Sequence, residues 1–195
     1  MLTRLELRRQ LLHIFLGLIL VFLLNFNLIN ATILFIIFII GLAFSLLSRK
    51  FHIPIIYNLL NIFDRKEDLE KFPAKGAVFY LFGAFLVVFI FPKDIAMASI
   101  MILALGDSIS RLVGPYGYLK HPFHTEKFFE GFIAGTITGF LGALFFVPWL
   151  LAVIGSFISM LIEGIDLRIK GFKIDDNLLI PIVAAVVMES VKILA

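Results

Sequence analysis

Seven apolar segments constrain the fold of this 195-residue chain more than any other feature. They cover residues 7–26, 31–47, 76–91, 95–113, 128–147, 150–164 and 178–194. A helix needs about 20 apolar residues to cross the hydrocarbon core of a bilayer. Hydrophobic residues make up 61% of the chain, whereas a soluble domain is about half apolar. We therefore predict an all-α, polytopic integral membrane protein with about seven transmembrane helices, forming one domain over residues 1–195.

The basic residues lie mostly on one side of the predicted membrane. With seven spans, fifteen of the seventeen lysines and arginines fall on the side of the N-terminus, and only Lys93 and Lys192 fall on the other. Because cytoplasmic loops carry the excess of lysine and arginine, the N-terminus is predicted to be cytoplasmic. The net charge of +3 is small and does not indicate a nucleic acid partner.

The acidic residues share that side, which places the expected chemistry at the cytoplasmic face of a plasma or ER-type membrane. No small-residue cleavage pattern follows the first apolar run, so we expect an uncleaved first span. The chain has no cysteine, which excludes disulfides and thiolate chemistry. Most acids lie on this side, among them Asp107, Glu126, Glu130, Glu163, Asp166, Asp175 and Asp176.

Asp107 lies inside the fourth apolar segment, about one turn from its cytoplasmic end. An ionised carboxylate that faces lipid costs several kcal/mol, so such a residue faces the bundle interior or a polar cavity. One interpretation is a metal ligand or general base. The other is an ion pair with Arg111, four residues further along the same helix.

The loop after this segment carries glycines and charges that allow two interpretations. Gly114 and Gly117 flank a Pro-Tyr pair, which favours a simple turn. Glu130 precedes Gly131 in the first turn of the fifth segment, where a negative charge suits the helix dipole. The N–H groups of the same helix start can instead hold a phosphate, with Lys127 as counter-charge.

Asp175, Asp176 and Asn177 come directly before the seventh segment. The simple explanation is an N-cap, in which Asp176 or Asn177 accepts from the N–H of Leu179 or Ile180. An N-cap uses one side chain, so three such residues in a row are more than a cap needs. We expect them to face Asp107 and Glu130 across the same surface, and paired carboxylates on one face suit a divalent cation that bridges phosphate oxygens.

Three further pairs carry weaker signals. Arg9 and His13 are four residues apart and can reach a lipid phosphate, although an interface-marking arginine is the simpler interpretation. His121 and His124 make a weak metal signal, since no cysteine or third histidine lies nearby. We expect Glu189 and Lys192 to form an ion pair near the outer end of the seventh segment.

Three motifs in order resemble those of the family of dolichol kinases, phytol kinases and CTP-dependent diacylglycerol kinases. They are Gly106-Asp107 with Gly114, Lys127-x-x-Glu130-Gly131, and Asp175-Asp176-Asn177-x-x-x-Pro181. The Arg8-Arg9-x-x-x-His13 stretch also looks like the first third of that family, and the resemblance covers most of the chain. The family is itself similar to the CTP-using phosphatidate cytidylyltransferases.

The resemblance implies phosphoryl transfer from a nucleoside triphosphate, usually CTP, with Mg²⁺ or a similar divalent cation. The acceptor would be the hydroxyl of a long-chain polyprenol (dolichol-, phytol- or geranylgeraniol-like) or of diacylglycerol. Phe128 departs from the family, which often has a serine there. Carried over by position, Asp107, Lys127 and Glu130 would be catalytic, Gly114, Gly117 and Asn177 would contact the nucleotide, and Asp107, Asp175 and Asp176 would hold the metal. To these we add Gly106, Ser108, Lys120 and Gly131 as candidate nucleotide-binding residues and Glu163 as a candidate metal ligand.

Two other functions are compatible with parts of the pattern. A cytidylyltransferase would use the same nucleotide and cation but would release pyrophosphate and leave a CDP-activated lipid. A transporter would also place acids between helices, but its site lies near the bilayer midplane and is often built from inverted repeats. Neither feature is evident in this sequence, and a non-catalytic scaffold has no feature in its favour.

Overall fold

The structure is a computed structural model that describes residues 2–50, 60–120, 127–165, 167–169 and 172–194. Helices dominate these residues, with one short antiparallel ladder between β1 (Arg168–Ile169) and β2 (Phe172–Lys173). The longer helices are α1 (Arg4–Asn25), α2 (Ala31–Lys50), α4 (Lys75–Ile90), α5 (Lys93–Met101), α7 (Phe129–Ala143), α8 (Trp149–Glu163) and α9 (Asp176–Leu194); the short ones are α3 (Lys66–Lys71) and α6 (Ser108–Val113).

Each of the seven predicted apolar segments contains an apolar helix. Four helical stretches are long and apolar enough to cross a membrane, namely Arg4–Asn25, Ala31–Ser48, Lys93–Tyr116 and Asp176–Leu194. The other three, α4, α7 and α8, are apolar but only 15 or 16 residues long. At 1.5 Å per residue they measure about 24 Å or less. The prediction of a helical membrane protein therefore agrees with the structure, and four of the seven helices reach spanning length.

The stretch from Lys93 to Tyr116 forms the centre of the bundle. Of its apolar window, 78% is buried, against a third or less for the other three long helices. It runs without a break through α5, a π-helical segment (Ile102–Asp107), α6 and a short 3-10 turn (Gly114–Tyr116). Small side chains such as Ala96, Ala98 and Ala104 let neighbouring helices approach it closely. In contrast, α1 and α2 expose many large apolar side chains, as helices that face lipid do.

Helix α7 packs against the central stretch through a row of glycines. A Cβ atom at Gly135 would lie 2.7 Å from the carbonyl oxygen of Gly106, and one at Gly131 would lie 2.8 Å from that of Ser110. Gly139 and Gly142 continue the row and are equally crowded. Such small-residue faces bring membrane helices into backbone contact. This contact holds α7 against the π-helical segment.

We expect Gly135→Ala to destabilise the protein, because the added methyl group would overlap a carbonyl oxygen that cannot move without shifting the central helix. Overpacking of this kind costs about 1–3 kcal/mol of unfolding free energy. Gly41→Ala is the matched control, since the nearest atom to its methyl group would be Leu81 Cδ1 at 3.8 Å. Thermal unfolding in detergent, followed by circular dichroism, should lower the Tm of Gly135→Ala only. Equal Tm values for the two variants would contradict this packing.

Polar contacts link the helices at both ends of the bundle. At one end, Arg65 donates to Glu6 (3.1 Å) and the Ser45 hydroxyl donates to the Pro73 carbonyl (2.5 Å). Asp64 accepts from the Ala74 N–H at the same end, and burial raises the pKa of its carboxyl above the usual range. We call this the polar end, and it contains the starts of α1, α4, α7 and α9.

At the opposite end of the bundle, Lys93 and Lys192 link neighbouring helices through hydrogen bonds. Lys93 Nζ donates to the Asn25 carbonyl (3.0 Å) and to Asn27 Oδ1 (2.7 Å). Lys192 Nζ donates to Asp94 Oδ2 at 3.3 Å, so the predicted pair between Lys192 and Glu189 is wrong. Asp94 begins the central stretch next to the end of α9 and is the better-placed acceptor, whereas the buried Glu189 Oε2 has no hydrogen-bond partner.

Candidate active site

Three carboxylates that are distant in the sequence meet at the polar end. Asp107 ends the π-helical segment, Glu163 ends α8 and Asp176 begins α9. They offer oxygen atoms that all lie within 4.8 Å of one another, and the three residues are 1%, 4% and 9% exposed. We call this group the carboxylate cluster. Like charges at such distances repel in a buried environment, so the cluster requires cations.

Arg111 supplies one of these cations. Its Nε lies 2.9 Å from each oxygen of Asp107, and its terminal Nη2 lies 2.7 Å from Asp176 Oδ2. The guanidinium thereby joins the central helix to the start of α9. The sequence left two interpretations of Asp107 open, a metal ligand or general base, or an ion pair with Arg111. The structure contains the ion pair, and the role as metal ligand or general base stays a prediction.

Lys127 supplies the second cation. It precedes α7, and its Nζ donates both to the carboxylate and to the backbone carbonyl of Glu163. The Lys127 side chain is 23% exposed, whereas that of Glu163 is 4% exposed. The ammonium therefore lies at the mouth of the cluster, between the buried carboxylates and the outside of the bundle.

The π-helical segment sets the position of Asp107. A π-helix accommodates extra residues in its turns, and such segments are frequent at functional sites. Because of this segment, the residues after Gly106 lie on a different face of the helix than they would in a regular α-helix. Sequence periodicity alone did not reveal this segment.

The start of α9 is capped by Asp175. Its Oδ1 accepts from the backbone N–H of Asn177 (3.1 Å) and from the side-chain Nδ2 of Asn177 (2.9 Å). The prediction that Asp176 or Asn177 caps this helix is therefore wrong, because the capping residue is Asp175. The helix begins earlier than expected, which leaves Asp176 free to bond with Arg111. Asp175 points elsewhere and pairs with Lys75 at 3.6 Å.

Glu130 acts on the preceding loop rather than on the carboxylate cluster. Its Oε1 accepts from the backbone N–H groups of Tyr118 (2.8 Å) and Leu119 (3.1 Å). A Cβ atom at Gly117 would lie 2.4 Å from Glu130 Oε2, so the absence of a side chain at Gly117 makes room for this carboxylate. Glu130 and Gly117 therefore lie together, and Glu130 stabilises the loop at Tyr118 and Leu119.

The other predicted nucleotide-binding residues have varied surroundings. Gly106 and Gly131 lie in the contact between the central stretch and α7, and Gly114 lies beside Gly131. Ser108 is fully buried, and its hydroxyl has no hydrogen-bond partner within the described part of the chain. Lys120 is exposed and forms an isolated β-bridge with Phe128. Close packing already accounts for the three glycines, so their binding of nucleotide stays a prediction. His121 and His124 lie outside the described residues.

Arg9 and His13, which the sequence presents as a weak signal, lie close together in the structure. Both face the start of α4 and α9, and His13 is only 7% exposed. His13 packs edge-on against the buried ring of Tyr80, with ring centroids 5.3 Å apart. Their spacing of four residues was the available signal, because it places both side chains on one face of α1.

The donor set of the carboxylate cluster fits a hard divalent cation. Carboxylate oxygens are the ligands that Mg²⁺ takes from proteins, usually one or two of them together with phosphate oxygens. Asp107, Glu163 and Asp176 offer such oxygens, and each carboxylate oxygen has lone pairs beyond the one used by Arg111 or Lys127. The cluster, the two cations and a position at the end of the helices suit the binding of a polyphosphate.

Comparison with known proteins connects the chain to a group of membrane enzymes. The chain is 29% identical over 187 residues to an uncharacterised protein of Methanocaldococcus jannaschii, covering 94% of this chain and 93% of that one. It is 28% identical over 154 residues to CTP-dependent diacylglycerol kinase 1 of Eremothecium gossypii, covering 65% and 47% of the two chains. The same kinase of Saccharomyces cerevisiae is 27% identical over 154 residues, covering 65% and 51%.

The chain thus spans about half the length of the two kinases. No protein-family model matches it. No solved structure matches it significantly.

Proposed function

Because the chain belongs to the lipid kinase family of the CTP-dependent diacylglycerol kinases, we propose that it is a CTP-dependent membrane kinase. Its acceptor is the hydroxyl of a long-chain lipid alcohol, either a polyprenol of the dolichol, phytol or geranylgeraniol type or diacylglycerol. Residues 1–195 act as one catalytic domain. The meeting of Asp107, Glu163 and Asp176 with Lys127 and Arg111 is the observation that carries this proposal.

The proposed topology has seven spans, with the N-terminus and the polar end in the cytoplasm. Successive apolar helices begin and end alternately at the polar end, as an up-and-down bundle requires. The basic residues favour the cytoplasm for this end, by the rule that cytoplasmic loops are richer in lysine and arginine. A soluble nucleotide then reaches the carboxylate cluster from water, while the lipid hydroxyl reaches it from the headgroup region.

The proposed reaction transfers the γ-phosphoryl group to the lipid hydroxyl. A bond forms between the hydroxyl oxygen and the γ-phosphorus, the bond to the β-phosphate oxygen breaks, and CDP leaves. Such reactions depend on positioning and on neutralising charge more than on covalent chemistry by the protein. Asp107, Glu163 and Asp176 would hold Mg²⁺, which would supply positive charge to offset that of the phosphate groups.

The side chains divide these tasks between them. Lys127, at the mouth of the cluster, faces the incoming triphosphate. Arg111 keeps Asp107 and Asp176 in place through its bonds to both. We assign to Asp107 the role of accepting the proton of the hydroxyl. Glu130 shapes the loop at the entrance through the N–H groups of Tyr118 and Leu119.

Product analysis tests the proposal directly. We expect purified protein in detergent, given MgCl₂ and γ-labelled CTP, to move the label to the lipid and to release CDP. Diacylglycerol and a series of prenols, each tried with CTP and with ATP, identify the acceptor and the donor. Label from α-labelled CTP in the lipid, with release of pyrophosphate, would identify a cytidylyltransferase instead. Vesicle uptake without any nucleotide would indicate a transporter.

A further inference from the structure

The segment that precedes the loop to α7 exposes large apolar side chains at the polar end. Tyr118 is 92% exposed and Leu119 is 64% exposed. Lys120, the next residue, pairs with Phe128, and Phe128 directly follows Lys127 at the mouth of the carboxylate cluster. We call residues 117–120 the entrance arm.

Hydrogen bonds fix the backbone of the entrance arm against the start of α7. Glu130 Oε1 accepts from the N–H groups of Tyr118 (2.8 Å) and Leu119 (3.1 Å). The Leu119 carbonyl accepts from the Phe129 N–H at 2.8 Å. A backbone that is bonded in this way holds the side chains of Tyr118 and Leu119 outside the bundle.

The outer face of α7 carries an apolar stripe that leads to the entrance arm. Phe129, Ile133, Ile137 and Leu141 recur every four residues and are between 38% and 52% exposed. Residues at this spacing are neighbours on one face of a helix. On an apolar helix at the periphery of a membrane bundle, such a face contacts lipid. The bond between Phe129 and Leu119 therefore joins the lipid-facing stripe to the entrance arm.

The length of α7 leaves room in the membrane for the entrance arm. The helix has 15 residues and measures about 22 Å, whereas the hydrocarbon core is about 30 Å thick. A short span needs its flanking residues, or a thinner bilayer, to match the membrane. Tyr118 and Leu119 add apolar surface beside the first turn of α7.

The side chains of the entrance arm suit the boundary between headgroups and acyl chains. Tyrosine is enriched there, because its ring is apolar and its hydroxyl is polar. A leucine suits the acyl side of the same boundary. The exposed Lys120 can extend its ammonium to lipid phosphates while its stem stays among apolar groups.

We propose that the entrance arm is embedded at this boundary, with Tyr118 and Leu119 in contact with bilayer lipid. It then forms the lipid side of the entrance to the carboxylate cluster, so that a lipid hydroxyl approaches Lys127 along the arm. This second statement rests on the proposed kinase function, whereas the contact with lipid does not.

Tryptophan fluorescence of the full chain in phosphatidylcholine nanodiscs tests the contact with lipid. Trp149 is the single tryptophan of the sequence, and Trp149→Phe provides a background without it. In that background, Tyr118→Trp reports on the entrance arm. Ile133→Trp is the control in the lipid-facing stripe, and Glu70→Trp, exposed on the polar helix α3, is the control in water.

Emission is compared between plain lipid and lipid brominated near the glycerol end of its acyl chains, since bromine quenches tryptophan on contact. We expect brominated lipid to lower the emission of Tyr118→Trp and Ile133→Trp and to leave that of Glu70→Trp unchanged. Unchanged emission of Tyr118→Trp in brominated lipid would overturn the proposal. If CTP with MgCl₂ quenched it instead, the arm would contact the nucleotide.

Steady-state kinetics test the role at the entrance. The double variant Tyr118→Ser with Leu119→Ser removes the apolar side chains and keeps the backbone that Glu130 binds. We expect the KM for the acceptor lipid to rise about tenfold, the effect of losing one large apolar contact. The KM for CTP and the kcat at saturating acceptor should stay at the wild-type values.

The two measurements fail separately. If brominated lipid quenches Tyr118→Trp but the double variant keeps the wild-type KM for the acceptor, the arm contacts lipid and has no role in acceptor entry. If the wild type transfers no label from γ-labelled CTP to any acceptor, the kinase proposal and the entrance role both fail, and the fluorescence result alone decides the contact with lipid.

Discussion

Asp107→Asn should reduce lipid phosphorylation by at least about 100-fold while the protein stays folded. The substitution keeps the shape of the side chain but removes the negative charge from the centre of the carboxylate cluster. Losses of this size are typical when a preorganised charged group of a catalytic site is removed. The initial rate of label transfer from γ-labelled CTP, at saturating acceptor, measures the effect.

Asp94→Asn is the matched control for this variant. Asp94 undergoes the same chemical change, but its side chain is 44% exposed and lies at the opposite end of the bundle. Its activity should stay within about twofold of the wild type, because exposed ion pairs contribute little. Size-exclusion profiles in detergent should match for all three proteins. If Asp107→Asn kept more than half of the wild-type rate, Asp107 would have no catalytic role in the reaction.

Lys127→Ala should lower turnover by about 100-fold or more. The variant removes the cation at the mouth of the site and leaves the buried Glu163 without its partner. Lys127→Arg keeps the charge and should recover part of the rate, although its planar group differs in shape from an ammonium. Rates over a range of CTP concentrations separate an effect on KM from an effect on kcat.

Lys192→Ala serves as the control for loss of a lysine. Its ammonium is exposed and, among the residues that the structure describes, bonds Asp94 alone, far from the carboxylate cluster. We expect its kinetic constants to equal those of the wild type. A Lys127→Ala protein with unchanged kcat and KM would show that Lys127 is a structural partner of Glu163 alone.

Much of the fold follows from the apolar pattern. The predicted segment 76–91 corresponds to Lys75–Ile90, and the predicted segment 150–164 corresponds to Trp149–Glu163. Backbone polar groups in lipid must find partners within the same segment, so each long apolar run has to be helical. The polar connections were less predictable, since the short β ladder at residues 168–173 depends on backbone pairing between neighbouring residues.

The candidate site was predictable in its residue types but only partly in its contacts. The motifs singled out Asp107, Lys127 and Asp176, and these lie together in the structure with Glu163, a predicted metal ligand outside the motifs. They also singled out Glu130 as catalytic, whereas its carboxylate contacts the loop at Tyr118 and Leu119. Spacing along the chain does not distinguish a carboxylate that faces the cluster from one that caps a neighbouring loop.

The amino-acid sequence by itself determined where the helices lie and which end of the bundle collects the charges, because both follow from local hydrophobicity and from charge counted along the chain. The tertiary structure decided how each helix is rotated about its axis. That rotation depends on close packing between distant segments, such as Gly135 against Gly106, and on the π-helical segment before Asp107. For this reason the bridge from Arg111 to Asp176 is a property of the assembled bundle, which no single stretch of sequence contains.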